Sequence, residues 1–434
     1  MASNLMVKIV GGAGILLFSA AAVFGTASLA KKFINSSASQ NIITIAGDKN
    51  EIKGKTLEER VKDAHERAEQ AKGVYMTAAV ANDKGRPATR LRDSLLSLID
   101  ATELNAVVID VKETDGIFLP ESLKDLISEF HQKNTWAIAR LVAFNDTVAA
   151  KTHPEIALKR SNGSLWLDNR RNAWLDPASQ DAREYLAGVA KKAIDYGFDE
   201  IQFDYIRFPS DGDVKNIIYP VFKPKEQQKY EALGGFFQYI NHELKAYKPE
   251  IILSADLFGY VAIQKSDLGV GQRMEDLGNS FDFISFMVYP SHYYNGFYMD
   301  SDTDRGLAAL AYPYRSKNIA IVASNQPYDI VYRSLLVAKD FLAGKDVFNK
   351  ATTTKNNTNA TTTAAETPKE IRPVSNAKLR PWLQDFNLGA DTNRGIYYDA
   401  LKVRAQIKAS EDAGSSGWLL WNASNVYTEA ALKK

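Results

Sequence analysis

Three aspartates stand where apolar, β-branched runs give out. They are Asp204 in FDEIQFDYIRFP (198–209), Asp256 in IILSADLFGY (251–260) and Asp385 in RPWLQDF (380–386). A carboxylate late in an apolar strand is costly to bury unless it is paired or put to use. Two such acids facing one cleft are what glycosidic-bond cleavage requires, one as acid and the other as nucleophile or base. By the two-residue period of a strand, Asp204 shares a face with Gln202, and Arg207 has the opposite parity unless the strand has already ended. The bland reading of Asp204 is a partner for an arginine, and that of Asp256 is a loop cap. In VVIDVKETDG (107–116), Asp110 and Lys112 share parity and read as a buried ion pair, favoured over contact with a substrate. Glu113, Arg140 and Arg207 are polar candidates for substrate contact near the ends of their runs.

Aromatics gather at the same places: Tyr289 and His292-Tyr293-Tyr294, then Trp382, then Trp421-Asn422, with Trp166 and Trp174 in a preceding loop. Sugar rings present apolar C–H faces that stack on flat side chains, while acids and amides bond their hydroxyls, so this set suits a carbohydrate. Trp136, early in its run, is expected to be core. The five histidines show no HExxH or paired spacing, no GxSxG elbow appears, and there is no cysteine. Zinc-protease, serine-hydrolase and thiol chemistry are therefore not indicated, and neither a metal nor a cofactor is expected.

The elements that must carry these residues alternate. Strands are expected at 73–79, 106–112, 135–143, 200–207, 251–258, 282–289, 378–386 and 417–423, and helices at 91–103, 121–133, 179–197, 225–247, 328–343 and 397–413. Eight strands separated by helices predict an α/β fold, the (β/α)8 TIM barrel, with catalytic groups at the C-terminal strand ends. A doubly wound open sheet is the rival, lowered by the lack of a Gly-rich phosphate loop after the first strand. Residues 318–324 also look strand-like and are assigned to an insertion after the sixth strand.

The chain has 434 residues and a net charge of +1, which argues against a broad basic surface for nucleic acid. Residues 9–30 carry no charge, and about 20 apolar residues suffice to span a bilayer. Residues 1–32 are expected to be a membrane helix or a signal segment, which makes the remainder exported, either membrane-anchored at the cell envelope or secreted. Residues 33–72 read as linker and charged helical spacer, 73–430 as the barrel, and 349–369 as a low-complexity Thr/Asn insert.

FDEIQFDYIRFPSDG, FISFMVYPSHY, RPWLQDF and GWLLWNASNVY, with VVIDVKETDG, IARLVAFND and WLDPASQDAREYL in the same order, resemble a bacterial glycoside-hydrolase-like family catalogued as domain of unknown function 4015. The resemblance spans about residues 73–430 and implies a TIM barrel with a glycosidase-like site. It places the family's acid at Asp204, with Asp256 and Asp385 as further acidic candidates. The expected function is a retaining glycoside hydrolase of a cell-envelope or extracellular polysaccharide, with Asp204 as nucleophile or oxocarbenium stabiliser and Asp256 as acid/base. The alternative is a non-catalytic glycan-binding barrel, which a carboxyl separation beyond about 10 Å would favour.

Overall fold

From Lys72 onward, short β-branched runs alternate with amphipathic ones, and the chain folds accordingly. The computed structural model describes residues 54–345, 347–348 and 375–434. Eight strands form the core sheet: β1 Lys72–Met76, β2 Ala106–Glu113, β3 Trp136–Val142, β4 Glu200–Asp204, β5 Ile252–Phe258, β6 Phe283–Met287, β7 Trp382–Gln384 and β8 Trp418–Trp421. Each pairs in parallel with the next. β8 returns to β1 with Leu419 opposite Gly73, so the sheet closes. This is the expected (β/α)8 barrel. Gly417 lets β8 enter: its φ is +81°, and a Cβ there would lie 1.9 Å from the Ala71 carbonyl oxygen.

The longer helices are α1 Leu57–Ala68, α2 Arg86–Ala101, α3 Ser122–Gln132, α4 Gln180–Asp195, α5 Lys229–Tyr247, α6 Pro327–Leu342 and α7 Ala400–Asp412. Between β5 and β6 the only α-helix is the four-residue Met274–Leu277. The expected seventh strand is broken. Lys378–Leu379 pairs with β6, and pairing with β8 resumes at Trp382, past Pro381, which has no N–H to donate. The strand-like 318–324 forms 3-10 turns instead (Ile319–Ile321 and Ala323–Asn325), within an insertion that also carries the hairpin Phe297–Met299 and Leu310–Tyr312.

The barrel interior is layered. Trp136, Ile252, Phe283 and Leu419 fill the lower part. There Glu200 on β4 is ion-paired with Arg380, and both are fully buried. Glu200 also accepts the Trp136 indole N–H at 3.0 Å and the Ser254 hydroxyl.

Helix α1 covers this end. Thr56 and Glu59 form a reciprocal capping box that starts it. At its other end Ala68 is fully buried and its carbonyl accepts from Arg380 at 3.1 Å, while the Arg67 guanidinium lies 5.1 Å from the Trp136 ring centre. The expected charged helix is therefore present, but it is not a free spacer. Its small residues fit the N-terminal mouth of the barrel, so Thr56–Lys434 forms one unit. Among the described residues no helix is long and apolar enough to cross a membrane. The expected membrane or signal segment (1–32), the linker up to residue 53 and the insert at 349–369 lie outside the described residues.

Candidate active site

Arg140 of β3 rises into the centre of the upper layer and is surrounded by acids. Its Nη1 is 2.6 Å from Asp110 Oδ1 and 2.6 Å from Glu113 Oε1. Its Nη2 and Nε lie 2.5 and 3.2 Å from Asp204 Oδ2, and Nε is 3.9 Å from Asp256 Oδ2. Because both oxygens sit on one nitrogen, the Asp204 and Asp256 oxygens are at most about 7 Å apart. Asp256 Oδ1 accepts the Trp382 indole N–H at 2.8 Å. No donor among the described residues reaches Oδ2 within hydrogen-bond distance.

Asp204 ends β4 sharply. Tyr205 has φ +52°, a conformation rare for a bulky side chain, and its N–H donates to Asp204 Oδ1 at 2.6 Å. The strand thus stops at Asp204, and Arg207 is freed from strand parity.

One guanidinium cannot neutralise four carboxylates in a buried layer. Burial, then the charge of Asp204, pushes Asp256 well above the usual carboxylate range against the opposing pull of Arg140. Burial also lifts Asp110 to about 7, with Arg140 opposing and Glu113 adding to the rise. Tyr75 of β1 donates its hydroxyl to Asp110 and stacks on Trp421 at 3.9 Å. The Trp421 ring centre lies 5.3 Å from the Arg140 guanidinium. Tyr289 is buried, and the charges of Asp256 and Asp204 join burial in raising its hydroxyl pKa.

The expected Asp110–Lys112 pair does not form. The β2–β3 register shifts between these two residues, and a bulge reverses parity. Asp110 turns to Arg140, whereas Lys112 is buried against Asp146 at 2.8 Å, where the Tyr185 hydroxyl also donates to Asp146 at 3.0 Å.

Asp385 is not beside the acid pair's arginine. Both its oxygens are taken by Thr428, from the backbone N–H at 2.8 Å and the hydroxyl at 2.7 Å. Asn422 likewise ties a loop, donating to the carbonyls of Asp385 and Val426. Trp382 is 1% exposed, so its edge orients Asp256 and its face offers no open platform. Trp166 and Trp174 are also buried, donating to the Asp213 carbonyl and to Asp168. Trp136 is core, as expected. His292 is half-buried between Tyr289, Phe386 and Tyr294, and burial lowers its pKa to about 4, so it is neutral near pH 7.

Tyr75, Glu200 and Arg380 were not singled out from sequence. Tyr75 sits late in β1 with the inward parity, a signal that was available. Of the aromatics that follow Asp256 in the chain, Tyr260 donates to the Gly296 carbonyl and Phe258 packs on Arg207. Among the described residues no group of three or more His, Asp or Glu side chains could hold a metal ion. A cavity of about 370 Å³ lies at the opposite, N-terminal end, lined by His65, Asn241, Gly278, Asp282 and Lys378, away from the acids.

Residues 73–427 match the family model described as "Putative glycosyl hydrolase domain". A hypothetical protein from Ruminiclostridium thermocellum ATCC 27405 is 35% identical, over 42% of this chain and 96% of its own, with a TM-score of 0.36. The PgaB (BpsB) glycoside hydrolase domain from Bordetella bronchiseptica is 13% identical, over 82% of this chain and 94% of its own, with a TM-score of 0.50; the likeness is one of fold. An α-galactosidase from Thermus thermophilus is 11% identical, over 85% of this chain and 62% of its own, with a TM-score of 0.44. No curated protein matches the chain.

Proposed function

The chain belongs to that family of glycosyl hydrolase domains, and from this premise we propose that it is a retaining glycoside hydrolase of a cell-envelope or extracellular polysaccharide, with Asp204 and Asp256 as its carboxyl pair. The observation that carries this reading is the shared contact of both acids with Arg140 Nε, which keeps them within about 7 Å. Retaining enzymes need about 5–5.5 Å between carboxyl groups, and inverting ones about 6.5–9.5 Å. β4 and β5 are hydrogen-bonded neighbours, Phe203 opposite Ala255, and strand spacing of about 4.8 Å favours the shorter distance.

Burial, then the charge of Asp204, raises the pKa of Asp256 and so favours its protonated form. Asp256 donates that proton from Oδ2 to the glycosidic oxygen as the bond to the anomeric carbon breaks. Asp204, fixed by Arg140 and the Tyr205 N–H, attacks the anomeric carbon and forms a glycosyl ester. Asp256, now ionised, takes a proton from water, and the resulting hydroxide releases the sugar from Asp204. Trp421 and Tyr289 border the sugar. The uncharged segment at 9–30 is the support for export and attachment at the cell envelope.

The alternative of a non-catalytic glycan-binding barrel gains nothing from a pair this close. The test is a screen of the purified chain on cell-wall and capsular polysaccharides, with the anomer of the first product read by NMR. Cleavage that gives the retained anomer and is lost in Asp204→Asn is expected. Cleavage unaffected by Asp204→Asn in a normally folded chain would refute the assignment.

A further inference from the structure

Arg207, three residues beyond β4, is 9% exposed, and among the described residues no carboxylate lies within ion-pair distance of it. Its Nη1 is used on the Phe208 carbonyl at 3.1 Å and the Ser210 hydroxyl at 3.2 Å. Its guanidinium carbon stands 4.8 Å from the Tyr205 ring, 4.8 Å from Phe258 and 5.0 Å from Trp174, a box of three aromatic faces. Nε and Nη2 donate to no described protein atom, yet they are not among the sealed, unsatisfied groups, so this edge meets solvent.

The other buried arginines differ. Arg140 and Arg380 hold carboxylates, and Arg333 is capped by the carbonyls of Ala308 and Asp300. Asp204, Asp211, Asp168 and Tyr205 act on Arg207 only through space, and burial lowers its pKa. A desolvated cation without an anion is costly to keep. Its position is specific, since Tyr205 adjoins Asp204 and Phe258 lies two residues past Asp256.

We propose that the free edge of Arg207 binds the carboxylate of an acidic sugar, a hexuronate, in the subsite beside Asp204. A guanidinium edge offers two parallel donors that match the two oxygens of a carboxylate, and the dry aromatic walls around the guanidinium strengthen that contact. This inference rests on the glycan-site reading above and narrows its substrate class.

The full chain is titrated with the methyl glycosides of glucuronate, galacturonate and mannuronate, with their neutral counterparts of the same configuration, and with glucose 6-phosphate, by calorimetry and ligand-observed NMR. At least one uronide is expected to bind roughly tenfold more tightly than its neutral counterpart. Arg207→Gln is expected to erase that preference and Arg207→Lys to keep part of it. If no uronide outbinds its counterpart, if the preference survives in Arg207→Gln, or if the sugar phosphate binds as well as the best uronide, the proposal is overturned. The first and last comparisons use the unaltered chain, so a misfolded variant does not shelter the idea. The readout is binding, so a chain that prefers uronides but cleaves no glycan sinks the hydrolase reading alone. A chain that cleaves neutral glycans with no uronide preference sinks this one alone.

Discussion

Arg140 is the residue on which the acid layer depends, because it touches or approaches Asp110, Glu113, Asp204 and Asp256 at once. Removing one partner of a buried ion pair costs about 3–5 kcal/mol, since it leaves charge uncompensated. Arg140→Met should therefore lower the stability measured by urea unfolding by an amount of that order. Asp256→Asn should behave differently. The amide imitates the protonated acid and can still accept from Trp382, so the unfolding midpoint at pH 7 should stay near that of the parent while glycan cleavage is lost. Asp110 gives a pH signature. Its pKa is lifted to about 7, so the folded chain keeps a proton that the unfolded chain releases in the ordinary carboxylate range. The stability this proton contributes is whole below that range and drains away as pH rises through about 7. Unfolding midpoints measured between pH 4 and 8 should fall accordingly, and Asp110→Asn should flatten the decline.

At the scale of elements, the strand ends decide the site more than the strands do. The bulge in β2 sends Asp110 and Lys112 to different partners, and the turn at Tyr205 aims Asp204. Neither is legible in the run of residue types, because a bulge depends on what the neighbouring strand can pair with. Helix α1 shows the same limit. Its charge pattern predicted a charged helical spacer, yet Ala64 and Ala68 pack against the lower layer because the barrel leaves a mouth there to fill. Thr56→Ala should cost about 1 kcal/mol by removing the cap of α1, read as a lower midpoint in thermal unfolding followed by circular dichroism. Arg380→Met should cost more, about 3–5 kcal/mol, by stranding Glu200 in the fully buried lower layer.

At the scale of the molecule, closure of the sheet joins the last strand to the first, Leu419 to Gly73. A chain stopped before Gly417 loses β8 and exposes the unpaired edges of β1 and β7, which are templates for association. It should be insoluble or oligomeric by size-exclusion chromatography, while the full chain should not depend on reductant, having no cysteine. The near-neutral charge conceals a concentrated imbalance, with four acids around one arginine inside and one unpaired arginine beside them.

Periodicity and composition determined the order of strands and helices, the barrel class and the positions of Asp204 and Asp256, because each strand buries an alternating or continuous apolar run that only that secondary structure can satisfy. The family resemblance carried by contiguous motifs was equally local, and the family match at 73–427 agrees with it. Partnership was not local. Asp385 and Asp256 look alike in sequence, each an acid at the end of an apolar run, yet Thr428 takes both oxygens of one, while the other is buried beside Arg140 with one oxygen held by Trp382. Which acid meets the arginine, and which arginine is left with a free edge, depends on side chains distant in the chain that meet only when the barrel closes. Tertiary structure alone decided that, since hydrogen bonds and desolvation act over a few ångströms of space and not along the sequence.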